Sequence, residues 1–296
     1  NWENPAVREE IYGIIQWWFH RGVDGFRMDV INMISKDQRF LNDNRVLEPT
    51  STRGTPYFVN GPKLHEFLRE MRLRALDRPE KVAIGECPGA QIEDVRALAS
   101  LDRRELDMVI QMDLMELDHG PGGRWDPQPM EVAKLREVVY DWQSTLQEPA
   151  WPSIYIGNHD QPRVVSRYGN DDEYRFESAT ALATLFYLQR GTPIVYQGDE
   201  IAMANFPIEG EDQIVDVESH NAYTYLVREE RLAPQVALER VRPAARDNGR
   251  TPMQWSPRPH AGFLGTEDAS STVGEAWYPV NPDYTSYNVE AQDSCA

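Results

Sequence analysis

The chain has 296 residues and carries 30 Lys and Arg against 48 Asp and Glu, which gives it a formal net charge of −18. This balance argues against binding of nucleic acid or another polyanion, because such ligands need a basic face, whereas it suits a neutral, hydroxyl-rich substrate. The length allows one large domain or two small ones, and the absence of any run of about 18 apolar residues in the sequence predicts no transmembrane helix.

The first part of the chain alternates helix-like and strand-like segments. Asn4 and Pro5 form a helix start, and apolar residues then recur with a helical period over residues 7–20. A strand is predicted at 23–28, followed by a long polar connection at 35–61, of the kind that builds binding sites. The next helix and strand are predicted at 63–75 and 82–85.

The alternation continues to about residue 198. Helices are predicted at 92–101, 130–146 and 177–188, strands at 108–112, 153–157 and 193–197, and a glycine-rich loop at 119–123. Five strands separated by helices predict a parallel sheet with right-handed crossovers. They cannot close an eight-stranded barrel, so the sheet is either open or part of a barrel. Beyond residue 198 the pattern is mixed, with a helix predicted near 223–232.

Carboxylates stand at the C-terminal ends of three of the predicted strands. Asp29, Glu86 and Asp160 each follow a short apolar run. An α/β barrel displays its catalytic residues at these strand ends. Because hydrolysis of a glycosidic bond needs a pair of carboxyl groups, the pattern indicates carbohydrate chemistry. Taken singly, each acid could instead cap a helix or belong to a structural ion pair.

The segments around these acids carry a family resemblance. GFRMDVIN at 25–32, GE at 85–86 and NHDQPR at 158–163 resemble three ordered motifs of the alpha-amylase family of retaining glycosidases, and in particular its oligo-1,6-glucosidase (isomaltase) and alpha-glucosidase branch. Further segments agree, namely FVNGP at 58–62, GPGGRWD at 120–126, GTPIVYQGDE at 191–200 and DNGRTPMQW at 247–255. The resemblance extends over nearly the whole chain.

The resemblance implies part of a TIM (β/α)8 barrel. The chain would supply strands 4 to 8 with their helices, and it would lack the first three strands, the insertion after the third strand and the C-terminal β domain. It is therefore similar to a fragment of a longer glucosidase. Residues 1–198 would form the partial barrel, 199–277 the final helix region with an inserted subdomain, and 278–296 the start of the truncated C-terminal domain.

Roles for the three acids follow from the resemblance. Asp29 would be the nucleophile that forms a covalent glucosyl-enzyme, and Glu86 would be the general acid and then the general base. Such a pair requires carboxyl groups about 5–5.5 Å apart and a raised pKa on the acid. Asp160 would bind ring hydroxyls and favour the oxocarbenium-like state.

Four neighbouring residues complete the predicted site. Arg27 shares a strand face with Asp29, so it can keep that carboxyl ionised, although a purely structural ion pair is the alternative. His159 resembles a histidine that hydrogen-bonds the sugar, and it could equally be structural. Arg250 resembles an arginine that contacts the non-reducing glucose. Val30, directly after the nucleophile, resembles the enzymes of this branch that act on α-1,6 bonds.

The implied function is a retaining α-glucosidase that hydrolyses terminal α-1,6, and also α-1,4, glucosidic bonds of short oligosaccharides. Within the same branch the alternatives are a transglycosylase or a sucrose isomerase, which share the covalent intermediate. A different class remains open as well, namely a non-catalytic glucosidase-like protein or an inactive fragment.

The sequence also leads to expectations about cofactors, partners and cellular location. No cofactor and no metal ligands are predicted, and the structural calcium of some relatives would lie in the N-terminal part of the barrel outside this chain. The partner would be a small oligosaccharide, with no nucleic acid and no membrane, and the full-length protein would be a monomer. Cys87 and Cys295 do not form a disulfide framework, which together with the branch favours a cytoplasmic location.

Overall fold

The computed structural model describes residues 1–45, 54–78, 80–148, 150–264 and 277–293. Its helices are α1 Pro5–His20, α2 Thr55–Phe58, α3 Leu64–Met71, α4 Ile92–Leu98, α5 Val132–Thr145, α6 Val164–Tyr168, α7 Arg175–Tyr187, α8 Val217–Arg228, α9 Pro234–Val241 and α10 Val289–Asp293. Its strands are β1 Gly25–Met28, β2 Val82–Glu86, β3 Met108–Ile110, β4 His119–Gly120, β5 Gly123–Pro127, β6 Ser153–Ile154 and β7 Thr192–Pro193. A π-helical turn, Arg72–Leu76, extends α3, and short 3-10 turns include Ile31–Met33, Asp199–Ile201 and Arg246–Arg250.

The chain divides into two compact units. The first consists of Asn1–Leu117, Glu131–Ile154 and Gln189–Pro193, and the second of Asp118–Met130, Tyr155–Leu188 and Ile194–Ala296. The predicted boundary between residues 198 and 199 does not coincide with this division. The assignment of the three parts to barrel, subdomain and C-terminal domain stays a prediction.

Parallel strands in sequence order organise the first unit. β1 pairs with β2 and β2 with β3, both in parallel, and β6 pairs in parallel with β7. The helices that connect neighbouring strands confirm the predicted α/β alternation. Gly25 is required at the start of β1, since a Cβ there would lie 2.4 Å from the carbonyl oxygen of Val82. This close approach aligns the two strands that carry the first two acids.

Apolar faces of the helices pack on this sheet. The Asn4 side chain accepts a hydrogen bond from the N–H of Ala6 and caps α1, as its position before Pro5 predicted. The core of the unit is contributed by α1, α3, α4, α5 and the strands, and it includes Tyr12, Phe19, Leu64, Leu68, Met71, Ala83, Leu98, Val109 and Trp142. Burial of these side chains supplies the main stabilisation, about 25 cal/mol per Å² of apolar surface removed from water.

The later strands are shorter than predicted. β3, β6 and β7 end two to four residues before the predicted ends of these strands. A strand requires a hydrogen-bonded neighbour as well as an apolar sequence, which explains the difference. Between β6 and β3, for example, the Ser153 hydroxyl donates to the Val109 carbonyl at 2.8 Å. A hydrogen bond from a side chain thus links two strands at a point where a continuous sheet would have a backbone hydrogen bond.

In the second unit the loop predicted at 119–123 is confirmed only at its centre, because β4 and β5 form an antiparallel hairpin around a turn at 121–122. The helix predicted near 223–232 starts earlier, at Val217, since the Asp216 side chain caps α8 by accepting from the N–H groups of Glu218 and Ser219. The core of this unit contains Trp125, Ile208, Ile214, Tyr223, Leu226, Leu238 and Val241. The hairpin therefore packs with α8 and α9.

Two expectations extend beyond the described residues. Residues 46–53 of the long connection and residues 294–296, which include Cys295, lie outside the described ranges. In 277–293 the structure has a 3-10 turn at Pro282–Thr285 and helix α10. Within the described ranges, no helix combines the length and the apolar character needed to cross a membrane.

A small cavity in the second unit places an acid in apolar surroundings. The cavity has a volume of about 30 Å³ and is lined by Asp199, Tyr187 and apolar side chains that include Ile156, Leu182 and Met203. Both carboxylate oxygens of Asp199 and the Tyr187 hydroxyl are buried without a hydrogen-bond partner among the described residues. Burial, with a smaller contribution from Glu200, raises the pKa of Asp199 to about 7.

We expect the substitution Asp199→Asn to stabilise the chain at pH 8 by roughly 2–4 kcal/mol and to have little effect at pH 4. Because the pKa of Asp199 is higher in the folded than in the unfolded chain, the folded state holds the extra proton, and stability falls as the pH rises towards 7. Asn keeps the shape without the charge. Denaturant unfolding at both pH values measures the effect, with the exposed Asp172→Asn as control. An equal gain at both pH values would contradict the titration argument.

Candidate active site

The first two predicted acids lie at the same edge of the sheet. Asp29 directly follows β1, and Glu86 is the last residue of β2. The parallel register pairs Met28 with Gly85, so the next residue on each strand is the acid. The short apolar strands thus place both carboxyl groups side by side at the C-terminal edge, where barrel enzymes carry out their chemistry.

One guanidinium group joins the two carboxyl groups. Arg27 Nη1 lies 2.5 Å from Asp29 Oδ1, and Arg27 Nη2 lies 2.7 Å from Glu86 Oε1. The sequence predicts a pair of Arg27 with Asp29 alone, since both stand on one strand face. The structure adds the bond to Glu86, which the neighbouring strand supplies.

The Glu86 carboxyl group is adapted to hold a proton. Its side chain is 9% exposed, whereas that of Asp29 is 75% exposed. Burial raises the pKa of Glu86, and the negative charge and hydrogen bond of Asp29 add to this, while Arg27 and the Val30 N–H act in the opposite direction. Both carboxyl groups contact the same guanidinium group, so the pair that a retaining glycosidase requires lies at one edge of the sheet.

Val30 follows the exposed acid in an unusual conformation. Its φ of 38° and ψ of 41° lie in the left-handed region, where a β-branched residue costs on the order of 1–3 kcal/mol. This geometry turns the Val30 N–H towards Glu86 Oε2, at 3.4 Å. The adjoining loop is fastened by the buried Asn32, which donates to Asn60 Oδ1 at 3.1 Å and to the Pro88 carbonyl at 3.0 Å.

The third acid belongs to the second unit and has its own surroundings. The Asp160 N–H donates to Asn158 Oδ1 at 2.8 Å, which makes Asn158 part of the turn that presents the acid. His159 Nε2 lies 3.4 Å from Asp160 Oδ2. The Asp160 carbonyl accepts from Arg124 Nη2 at 2.6 Å. Histidine and acid are therefore neighbours in space as well as in sequence.

Two arginines hold the other oxygen of this acid. Asp160 Oδ1 accepts from Arg250 Nη2 at 2.8 Å and from Arg246 Nη1 at 3.2 Å. Arg250 also donates from Nε to the His159 carbonyl at 2.9 Å. The structure thus brings the predicted residues His159, Asp160 and Arg250 together, as it does Arg27, Asp29, Val30 and Glu86 in the first unit.

Sequence reasoning missed Arg246 and Asp216. Arg246 directly precedes the DNGRTPMQW segment, and this position is the one sequence feature that points to it as a site residue. Asp216 could be recognised as a helix cap from the order Asp216, Glu218 and Ser219, but not as a partner of arginines about 30 positions further along the chain. Both belong to the surroundings of Asp160 because the 3-10 turn Arg246–Arg250 passes the start of α8.

Other residues of the quoted motifs serve the framework. The buried Arg163 donates to the carbonyls of Gln197 at 2.6 Å and of Asn248 at 3.1 Å. Asn248 is itself buried and accepts from the Phe206 N–H at 3.0 Å. Gly249 is needed because a Cβ would lie 2.6 Å from the Gln161 carbonyl. These motifs therefore fix the loop that carries the arginines. In the part of the chain that is described, no group of three or more His, Cys, Asp or Glu residues is arranged to hold a metal ion.

Comparison with known proteins gives a consistent result. The family profile of the alpha-amylase catalytic domain matches residues 1–295. An oligo-1,6-glucosidase from Parageobacillus thermoglucosidasius is 44% identical over 291 residues, which is 98% of this chain and 50% of that protein. The crystal structure of trehalose-6-phosphate hydrolase from Bacillus licheniformis superposes with a TM-score of 0.89 at 37% identity, covering 99% of this chain and 50% of that one.

A trehalulose synthase structure superposes with a TM-score of 0.86 at 34% identity and covers 100% of this chain and 51% of that one. In each case the chain spans about half the length of the relative. The two solved structures share their fold with this chain, while the relatives' names differ in the sugar that they act on or produce.

Proposed function

The chain belongs to the alpha-amylase family of glycosidases, and on that premise we propose that the protein carrying it is a retaining α-glucosidase. It would hydrolyse terminal α-1,6, and to a lesser degree α-1,4, bonds of short oligosaccharides. The proposal depends above all on one observation: Asp29 and Glu86 end neighbouring parallel strands and share Arg27, with an exposed carboxyl beside a buried one whose pKa is raised. Two acids in contrasting environments are what a nucleophile and a general acid require.

The proposed reaction has two steps. In the first, Glu86 donates its proton to the glycosidic oxygen while the Asp29 carboxylate attacks the anomeric carbon, so that the bond to the leaving sugar breaks and a glucosyl ester forms on Asp29. In the second, the Glu86 carboxylate takes a proton from water as the water oxygen attacks the anomeric carbon, which releases glucose and restores both acids. By family resemblance Asp160 would bind ring hydroxyls and favour the flattened sugar.

The arginines around Asp160 support a neutral substrate over a phosphorylated one. A phosphate group is normally bound by arginine or lysine nitrogens that are available to it. Here the positive charges of three guanidinium groups are matched by three carboxylates in mutual contact: Arg124, Arg246 and Arg250 with Asp160, Asp216 and Glu218. Of the substrates that the relatives' names indicate, a neutral oligoglucoside therefore fits this cluster of charges better than trehalose 6-phosphate.

We expect the full-length gene product to release glucose from isomaltose with a kcat/KM about tenfold higher than from maltose. The proposed reason is steric, because the Val30 side chain is partly exposed beside Asp29 and can shape the site of the leaving sugar, where a methyl group is worth about 10- to 200-fold. Glucose release measured on both disaccharides tests the function. Val30→Ala, which removes both methyl groups, should lower the ratio. If neither sugar released glucose, the glucosidase proposal would be refuted. A preference for maltose would refute only the proposed preference for α-1,6 bonds.

A sugar isomerase of the same branch is the second candidate, and the likeness to the trehalulose synthase structure favours it. The same glucosyl ester would then be attacked by the released sugar instead of water. Incubation with sucrose followed by chromatography distinguishes the two, since isomerisation conserves the disaccharide whereas hydrolysis yields glucose and fructose. For either activity we propose a small oligosaccharide as the partner, no cofactor, and a cytoplasmic location for a monomer.

A further inference from the structure

We propose that Asp216 is a positioning residue for Asp160, which it holds in place through the side chains of Arg246 and Arg250. The inference rests on the proposed function, in which Asp160 contacts the sugar. It assigns a role in that reaction to an acid that belongs to none of the quoted motifs.

Asp216 and Asp160 are joined by two parallel bridges. Asp216 Oδ2 lies 2.8 Å from Arg250 Nη1, and Asp216 Oδ1 lies 3.0 Å from Arg246 Nε. The same two guanidinium groups reach Asp160 Oδ1 with their other nitrogens, at 2.8 Å from Arg250 and 3.2 Å from Arg246. Each arginine is therefore oriented from one side by Asp216 and uses a different nitrogen for Asp160, while Glu218 Oε2 also lies 3.0 Å from Arg246 Nε.

Asp216 is suited to serve as the fixed end of these bridges. Its side chain is 2% exposed, compared with 32% for Asp160. Oδ1 accepts from the N–H of Glu218 at 3.0 Å and of Ser219 at 3.1 Å, and the Asp216 N–H donates to Asp247 Oδ1 at 2.9 Å. Burial alone would raise the pKa of Asp216, but the bonds from Arg246 and Ser219 and the charge of Arg250 outweigh it and lower the pKa.

The bridges leave the two oxygens of Asp160 in different situations. Oδ1 is engaged by both guanidinium groups, while Oδ2 has His159 Nε2 at 3.4 Å. With Oδ1 fixed, Oδ2 is the oxygen oriented to accept from a sugar hydroxyl. If Asp216 lost its charge, Arg250 would keep Asp160 as its carboxylate partner among the described residues, and Arg246 would keep Asp160 and Glu218. The changed balance of charge would draw the Asp160 carboxyl out of position. The effect should appear in kcat more than in KM, because orientation counts most in the transition state.

The test is Asp216→Asn in the full-length gene product, assayed with isomaltose and with an aryl α-glucoside. Asn keeps an oxygen that can cap α8 but removes the charge between the arginines. We expect kcat to fall by about 100-fold with KM changed by less than about threefold, which is the scale of a displacement of about 1 Å in a catalytic group. A fall of less than about threefold in kcat would overturn the proposal.

A double-mutant cycle distinguishes positioning from a purely structural role. In an Asp160→Asn background the carboxyl that Asp216 positions is absent, so adding Asp216→Asn should lower the residual aryl glucosidase activity by less than about threefold. An equal factor in both backgrounds would show that Asp216 acts independently of Asp160 and would overturn the proposal.

The control is Asp283→Asn, which removes a carboxylate that binds Arg175 at 2.6 Å and does not contact Asp160. It should leave kcat unchanged, as judged on samples with a cooperative thermal transition. If Asp216→Asn does not fold, Asp216→Glu keeps the charge and displaces the carboxyl group by one methylene. Asp216→Glu should then lower kcat in the unsubstituted protein by a larger factor than in the Asp160→Asn background. An equal factor in both backgrounds would overturn the proposal. Absence of glucose release by the unsubstituted protein would instead refute the proposed function.

Discussion

Asp29→Asn is expected to lower kcat/KM for isomaltose in the full-length gene product by about 10⁴- to 10⁶-fold, the scale on which removal of a catalytic nucleophile acts. An amide cannot form the glucosyl ester, because it is a far weaker nucleophile than a carboxylate. The fold should survive, since the Asp29 side chain is 75% exposed and an amide oxygen in its place could still accept from Arg27.

Mass spectrometry of the covalent intermediate gives the direct measurement. A fluorinated glucosyl donor that reacts quickly but is hydrolysed slowly should label the peptide containing Asp29 in the unsubstituted protein and leave the Asp29→Asn protein unlabelled. The matched control is Asp24→Asn at the opposite end of β1, where the aspartate is 85% exposed and paired with Lys81. A label on a different acid, or less than about a tenfold loss of activity, would remove Asp29 from its proposed role.

The second large effect is expected from Glu86→Gln, and it should depend on the leaving group. With isomaltose, whose leaving group is a poor one, the loss should be about 10²- to 10⁴-fold, because general acid catalysis contributes on that scale. With a dinitrophenyl glucoside the leaving group needs no proton, so formation of the glucosyl ester should be nearly unaffected. Pre-steady-state release of dinitrophenol separates this step from the slower hydrolysis of the ester.

The dependence of activity on pH gives a second test of Glu86 as the general acid. Glu86 must carry a proton to act as an acid, so activity should fall as the pH rises through the raised pKa of Glu86. Gln cannot titrate, and the basic limb of the profile should disappear with the substitution. Glu80→Gln, an exposed residue two positions before β2, is the control and should keep that limb. A Glu86→Gln protein that retained the basic limb would show that another group provides the proton.

Much of the first acid pair could be predicted from local sequence. Short apolar runs followed by an acid mark the C-terminal ends of parallel strands, and neighbouring strands in a βαβ unit bring these ends together. The structure confirms the alternation, with Asp29 and Glu86 at one sheet edge. The left-handed conformation of Val30 could not be predicted, since a β-branched residue normally avoids it.

The surroundings of Asp160 were harder to predict because they depend on long-range contacts. Asp216 pairs with Arg246 and Arg250 across 30 and 34 positions, and no local periodicity encodes that meeting. The glycines of the β4–β5 hairpin mask its strand character in the sequence, although glycine is also common at the turns that join such strands. Long-range pairing of charges is what the sequence conceals here.

The shared guanidinium of Arg27 has a consequence for the order of events in catalysis. At the outset it divides its charge between two acids, and the negative Asp29 helps Glu86 to keep a proton. Once the glucosyl group is attached, the Asp29 ester is neutral, and the whole charge of Arg27 then acts on Glu86. The proton affinity of Glu86 should therefore drop when a base is needed and recover when the ester is hydrolysed. One cation would thus let the same glutamate alternate between acid and base without any movement of the backbone.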